Sequence, residues 1–96
     1  MTREDFEAPI QRAIDLVNEA RSVGDHPFGA VLALANGRVI EAINTVISAA
    51  DCTCHAEMNA IKSALRAGWD LAGATLYAST EPCAMCSGAS YLVARR

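Results

Sequence analysis

The chain has 96 residues, 52% of them hydrophobic and 20% charged, and carries a net charge of −3 at pH 7. That length suits one small domain, the apolar content excludes a disordered chain, and no apolar run approaches the ~18 residues of a membrane span. Basic residues do not cluster except as Arg95-Arg96, which argues against a broad nucleic-acid groove.

Residues 3–23 read as a helix. Phe6, Ile10, Ala13, Ile14 and Val17 recur at helical spacing, with Arg12, Asp15, Asn18 and Glu19 on the other side. Thr2 with Asp5 makes a weak form of capping box. Pro9 would kink the axis if it lay mid-helix but would suit a first helical position, so two starts stay open. The opening Met-Thr-Arg-Glu-Asp-Phe-Glu is acidic and amphipathic, unlike a secretory signal, and a cytoplasmic location is expected. In that compartment the four cysteines are expected to bind metal or react, not to pair as disulfides.

Gly24-Asp25-His26-Pro27 reads as a loop. Residues 28–35 form an apolar run of strand length, Asn36-Gly37 a two-residue hairpin turn, and residues 38–44 its return. Both strands are apolar at most positions, which predicts cover on both faces of the sheet. Residues 45–53 connect to a helix over 54–67, with Met58, Ile61, Ala64 and Leu65 inward, Lys62, Ser63 and Arg66 outward, and Gly68 placed to stop it. Residues 74–79 make the third strand. Thr80-Glu81-Pro82 then turns into a last helix, with Pro82 at its first position, running through Leu92 and Val93 to Arg96. The order α-β-β-α-β-α predicts an α/β sandwich with helices over a mixed sheet.

The chemistry gathers in Cys54-His55-Ala56-Glu57 and Pro82-Cys83-Ala84-Met85-Cys86. A catalytic zinc site takes three N/S ligands and keeps one position open for water. His55, Cys83 and Cys86 are such a set, and Glu57 is a spare carboxylate able to move protons. Cys83 and Cys86 are three apart and share a helix face. His55 and Glu57 are two apart and converge only in a first turn, where the cap-type residues Asp51 and Thr53 lead. Helix starts also favour thiolate over thiol. Each motif has a plainer reading. His-x-Glu alone is an ordinary helix start, and a strand followed by Cys-x-x-Cys is also how a thioredoxin-like dithiol looks. Cys52 and Cys54 leave a four-cysteine structural zinc knot open, though it gives Glu57 no task. His26 reads as a loop histidine, Asn44 alone as a strand end, and Trp69 and the methionines as packing.

His-x-Glu followed by Pro-Cys-x-x-Cys is the pattern of the zinc deaminases of nucleobases. With Pro27-Phe28-Gly29-Ala30-Val31, Asn44, His55-Ala56-Glu57-Met58-Asn59-Ala60-Ile61 and Glu81-Pro82-Cys83-Ala84-Met85-Cys86-Ser87-Gly88-Ala89, nearly the whole chain resembles the cytidine deaminase-like superfamily. The resemblance lies in its branch of guanine, cytosine, nucleoside and tRNA adenosine deaminases, and Phe28 and Tyr91 look more like the guanine or nucleoside enzymes. It implies a three-layer α-β-α sandwich, one deaminase domain over residues 1–96, and zinc held by His55, Cys83 and Cys86. Glu57 would be the catalytic proton shuttle, with Asn44, Phe28 and the Ala56 backbone on the substrate side. The implied activity is hydrolytic deamination of a small nucleobase or nucleoside, with tRNA a less favoured partner and a homo-oligomer the usual state. Members of the family usually continue beyond such a point with further strands and helices, so the domain is expected to be incomplete at the C-terminus. A catalytically inactive zinc-binding module stays open as an alternative.

Overall fold

The computed structural model describes the backbone of residues 3–94 and the side chains of residues 7–92. The elements are α1 (Arg3–Ser22), β1 (Gly29–Ala33), β2 (Val39–Ile43), α2 (Ala56–Arg66), β3 (Thr75–Ala78) and α3 (Ala84–Ala94), in the α-β-β-α-β-α order expected. The strands form one sheet in the order β2-β1-β3. Both pairings of the central β1 are antiparallel, which corrects the expectation of a mixed sheet. The reason lies in the connection. β2 and β3 run the same way, as strands joined by a helical crossover do, but β1 lies between them and no parallel strands touch.

Side chains alternate across the sheet and give the fold its layers. Val31, Ala33, Ile43 and Tyr77 face α1 and pack on Ala13 and Leu16. Leu32, Leu34, Ile40, Ala42 and Leu76 face the other way, against Ala60, Ile61 and Ala64 of α2 and Ala89 of α3. Strand β1 is the most deeply buried; β2 meets both layers, Ile43 on the α1 side and Ile40 and Ala42 on the α2 side, but stays partly exposed along its length. Cover on both faces of the sheet was expected and is found at both strands, thinner at β2 because it lies at an edge. Arg12 of α1 reaches that edge and pairs with Glu41, while Arg38 lies over the ring of Trp69, 4.7 Å from its centroid.

The buried stripes differ from those the periodicity named. On α1 the inward residues are Ala13, Leu16 and Ala20, whereas Ile10 and Ile14 are 42% and 47% exposed. A Cβ on Gly29 would lie 2.5 Å from both the Ala13 carbonyl oxygen and Leu16 Cβ. Helix α1 therefore meets β1 almost backbone to backbone at Gly29, and this seating turns Ala13, Leu16 and Ala20 inward and leaves Ile10 and Ile14 out. On α2 the buried residues are Ala56, Glu57, Ala60, Ile61 and Ala64; Met58 is half-buried and Leu65 exposed. The stripe expected there through Met58 and Leu65 is thus turned by about one residue.

Helix boundaries follow local chemistry. Helix α1 continues through Pro9, giving up one intrahelical bond there; Thr2 as its cap and the Phe6 side chain lie outside the described residues. Helix α2 stops at Gly68, φ +76, which donates to the Leu65 carbonyl at 3.0 Å while Trp69 donates to Ala64 at 3.1 Å, a Schellman closure. The hairpin turns over residues 35–37, not the two residues expected. Gly37, φ +92, donates to the Leu34 carbonyl at 3.0 Å, and Leu34 donates to Arg38 at 2.8 Å, the three-residue loop that ends on a left-handed glycine. At α3 the Cys83 carbonyl accepts the Ser87 N–H at 2.9 Å, so Pro82 precedes the helix instead of opening it. The Val93 side chain and the expected run to Arg96 lie outside the described residues. Among those described, no helix is long and apolar enough to cross a membrane.

Candidate active site

The C-terminal ends of β2 and β3 and the N-termini of α2 and α3 meet at one end of the sheet. In open α/β folds this is the place for a ligand, because helix N–H groups converge there. His55 is the N-cap residue of α2 and makes no side-chain capping bond. Its Nδ1 lies instead 3.5 Å from Cys83 Sγ and 3.6 Å from Cys86 Sγ, and the two sulfurs are 3.6 Å apart. A tetrahedral zinc, ~2.3 Å from each thiolate and ~2.0 Å from an imidazole nitrogen, requires S···S of about 3.8 Å and S···N of about 3.5 Å. The triangle fits zinc in size as well as in donor chemistry. Among the described residues it is the one cluster of metal-ligating side chains. Cys52 is exposed and Cys54 buried, and the Cys54 sulfur takes Lys62 Nζ at 3.7 Å; neither joins the triangle, so no four-cysteine knot forms.

The two thiols are tuned in opposite directions. Backbone N–H groups at the start of α3, chiefly that of Cys86, hold the Cys83 thiol below its ordinary range. Burial pushes the Cys86 thiol up to about 12, with Cys83 and the nearby Glu57 carboxylate adding to the effect. A dication held by His55, Cys83 and Cys86 would offset that penalty and favour both cysteines as thiolates.

A cavity of about 330 Å³ lies against the triangle, lined by Phe28, Asn44, His55, Glu57 and Cys83. Glu57 sits in the first turn of α2 and is 7% exposed. The first turn lets His55 and Glu57 share this side, as the two-residue spacing demanded. Asn44 is 3% exposed. Its backbone N–H donates to the Phe28 carbonyl at 3.1 Å, and its Oδ1 accepts the Val46 N–H at 3.0 Å. That Asx turn leaves the Nδ2 end of the amide for the cavity. Phe28 is half-exposed on the wall. Ala56 is fully buried and is not among the lining residues. Tyr91 lies exposed on α3, and it too is absent from the cavity lining.

Sequence reasoning missed several participants. His26, Val46, Cys52, Thr80 and Glu81 also line the cavity. Two further polar side chains hold the loop that forms one wall. Asp25, 6% exposed, accepts the Ser48 N–H on Oδ1 and the Ser48 hydroxyl on Oδ2, each at 2.8 Å. The Ser48 backbone donor is the main reason its carboxyl sits below the usual range. Asn59 Nδ2 donates to the Ile43 carbonyl and Thr45 Oγ1, each at 2.9 Å, and to the Cys54 carbonyl at 3.3 Å. Asn59 stood in the sequence only as a member of the family-like stretch over residues 55–61 and as a polar residue beside a helix's buried stripe, with no role attached.

Comparison with known proteins agrees with this geometry. The family model described as the cytidine and deoxycytidylate deaminase zinc-binding region matches residues 3–95, and the chain belongs to that family. The chain is 42% identical over 84 residues to a probable cytosine deaminase of Schizosaccharomyces pombe, covering 88% of this chain and 52% of that protein. It is 42% identical over 86 residues to a tRNA-specific adenosine deaminase of Bacillus subtilis, covering 86% of this chain and 53% of the other. The crystal structure of guanine deaminase from Bacillus subtilis superposes with a TM-score of 0.82 at 38% identity, over 97% of this chain and 59% of that one. The chain thus spans little more than half the length of these relatives. The fold is that of the cytidine deaminase-like superfamily, and zinc is the family's metal.

Proposed function

We propose that the chain hydrolytically deaminates a nucleobase or nucleoside, turning C–NH₂ into C=O with release of ammonia. One observation carries this: the His55–Cys83–Cys86 triangle and the buried Glu57 carboxylate open on the same cavity. His55 through Nδ1, and Cys83 and Cys86 through Sγ, would hold zinc, which when bound lowers the pKa of a water to about 7 and so supplies hydroxide at neutral pH. Glu57 would take the proton that such a water gives up: two carboxylates that are not ligands line the cavity, Glu57 and Glu81, and Glu57 is the buried one, in the turn of α2 next to His55. It then delivers a proton to the ring nitrogen next to the amino-bearing carbon, and afterwards to the departing amine. The oxygen of water stays on the ring and the amine leaves as ammonia, so no organic cofactor is needed. Asn44 Nδ2 donates to an acceptor on the base or sugar, Phe28 offers an apolar face, and Ala56 enters only as a backbone contact at the helix start.

Relatives named for guanine and cytosine support a free base or nucleoside as substrate. Relatives named as tRNA-specific adenosine deaminases support a second reading, adenosine within a tRNA. The net charge of −3 favours the small molecule, since a polyanion needs a basic footprint. A cytoplasmic homo-oligomer completes the proposal. The test is ammonia release by the zinc-loaded chain over guanine, cytosine, cytidine, adenosine and their nucleotides, with metal analysis beside it. One zinc per chain and turnover of at least one substrate is the expected result. Full zinc without ammonia would leave a non-catalytic zinc module, and reversible thiol titration without zinc would point to a dithiol protein.

A further inference from the structure

We propose that Asn59 is the positioning residue that fixes the Asn44 amide relative to the metal centre. The acceptors of its Nδ2 are specific in where they lie. Ile43 and Thr45 flank Asn44 on either side, and Cys54 immediately precedes His55. The backbone N–H of Asn59 donates to the His55 carbonyl at 2.9 Å, so the side chain springs from the turn that carries His55 and Glu57. One amide therefore ties the end of β2 to the start of the metal helix.

Other bonds do not replace it. The Asn44 backbone is held at 3.1 Å to Phe28, on the β1 side, and Asn44 Oδ1 is satisfied within its own turn by Val46. Thr45 N–H to the Cys54 carbonyl, at 2.9 Å, is the remaining stitch to the α2 side, and it constrains the loop without gripping residue 43. The amide bonds no metal-ligating side chain: its contact nearest the triangle is the longer one, 3.3 Å to the Cys54 carbonyl, while His55 is also held by the backbone N–H of Asn59, which a side-chain substitution keeps, and the cysteines stand at α3. Loss of the Asn59 amide should thus leave fold and metal site in place and loosen one distance, that from the Asn44 amide to the metal. A residue serving only stability would loosen everything together. The catalytic consequence rests on the deaminase reading above; the geometric claim does not need a substrate.

The test is made on the full chain loaded with cobalt(II), comparing wild type with Asn59→Ala and Asn59→Ser. Pseudocontact shifts of the Asn44 side-chain NH₂ report its place relative to the metal, and those of the Ala60 and Ile61 amides report the metal helix. In Asn59→Ala the Asn44 shift should fall by about half or average out while the helix shifts persist, because the local tether alone is lost. Asn59→Ser, which keeps a short donor, should recover part of it. Unchanged Asn44 shifts in both variants would overturn the proposal. So would helix and Asn44 shifts that change together, or failure of both variants to fold and bind cobalt. A second arm uses whichever of guanine or cytosine the wild type turns over. Asn59→Ala should lower kcat/KM by about tenfold in the wild-type background and by less than about twofold in Asn44→Ala, because the two act as one unit. Equal losses in both backgrounds would contradict it. If neither base is turned over, the deaminase reading for those bases fails while the shift comparison still decides Asn59.

Discussion

At the scale of single residues, the site divides into groups that chemistry fixes and groups that folding recruits. The meeting of His55, Cys83 and Cys86, with Glu57 on the same cavity, was legible in the sequence because the proposed metal and proton carrier demand given side chains at given spacings. Asn59 and Asp25 were not, since their roles come from which backbone groups the fold brings near. Cys52 and Cys54 stand outside the metal triangle, so Cys52→Ser and Cys54→Ser should each keep zinc at the wild-type stoichiometry; metal analysis showing loss on either change would mean the ligands are wrongly assigned. Asn44→Ala should raise KM and leave zinc content unchanged, because its amide faces the cavity and not the metal. Asp25 gives a pH signature. Its carboxyl is depressed in the folded protein by the Ser48 donors, so its contribution is fully present above the unfolded value of about 3.9 and is lost as pH falls through the lower folded value. Wild type should therefore exceed Asp25→Asn in urea-melt stability by a constant margin above about pH 5, the margin closing below about pH 4. A margin independent of pH would remove the carboxylate from the loop's anchoring.

At the scale of elements, all six were readable in type and order, but their packing faces were not. Periodicity finds an apolar stripe; it cannot see that Gly29 lets α1 settle so close to β1 that Ala13, Leu16 and Ala20 go inside while Ile10 and Ile14 stay out. The hairpin differs for a similar reason: Asn36-Gly37 satisfies a two-residue turn by composition, while the register Ala33 to Val39, continued by the Leu34–Arg38 bond, leaves a loop of three. Gly29→Ala tests the close contact. Its new Cβ would fall 2.5 Å from the Ala13 carbonyl and Leu16 Cβ, an overpacking that should cost about 1–3 kcal/mol in denaturant unfolding. Gly68→Ala, at φ +76 with open space around its Cβ, should cost about 1 kcal/mol through backbone strain alone. If Gly29→Ala proved as mild as Gly68→Ala, the tight seating of α1 on β1 would be wrong.

At the scale of the molecule, the three layers bring β2, β3, α2 and α3 to one end of the sheet, and the family pattern foretold this meeting better than the strand assignments did. Strand β3 stands at the sheet edge and carries Thr75-Leu76-Tyr77-Ala78 without a charge to discourage pairing. The 96-residue chain should accordingly associate in sedimentation at low micromolar concentration; a compact monomer would show that this edge is protected in another way. The central claim is that Glu57 moves the proton at a metal centre made by His55, Cys83 and Cys86, and Glu57→Gln addresses it most directly. Measured together, zinc per chain should stay at the wild-type level while ammonia release falls by the ~10²–10⁴-fold expected of a general acid–base group. Ammonia release near the wild-type rate, or zinc lost along with it, would contradict the claim.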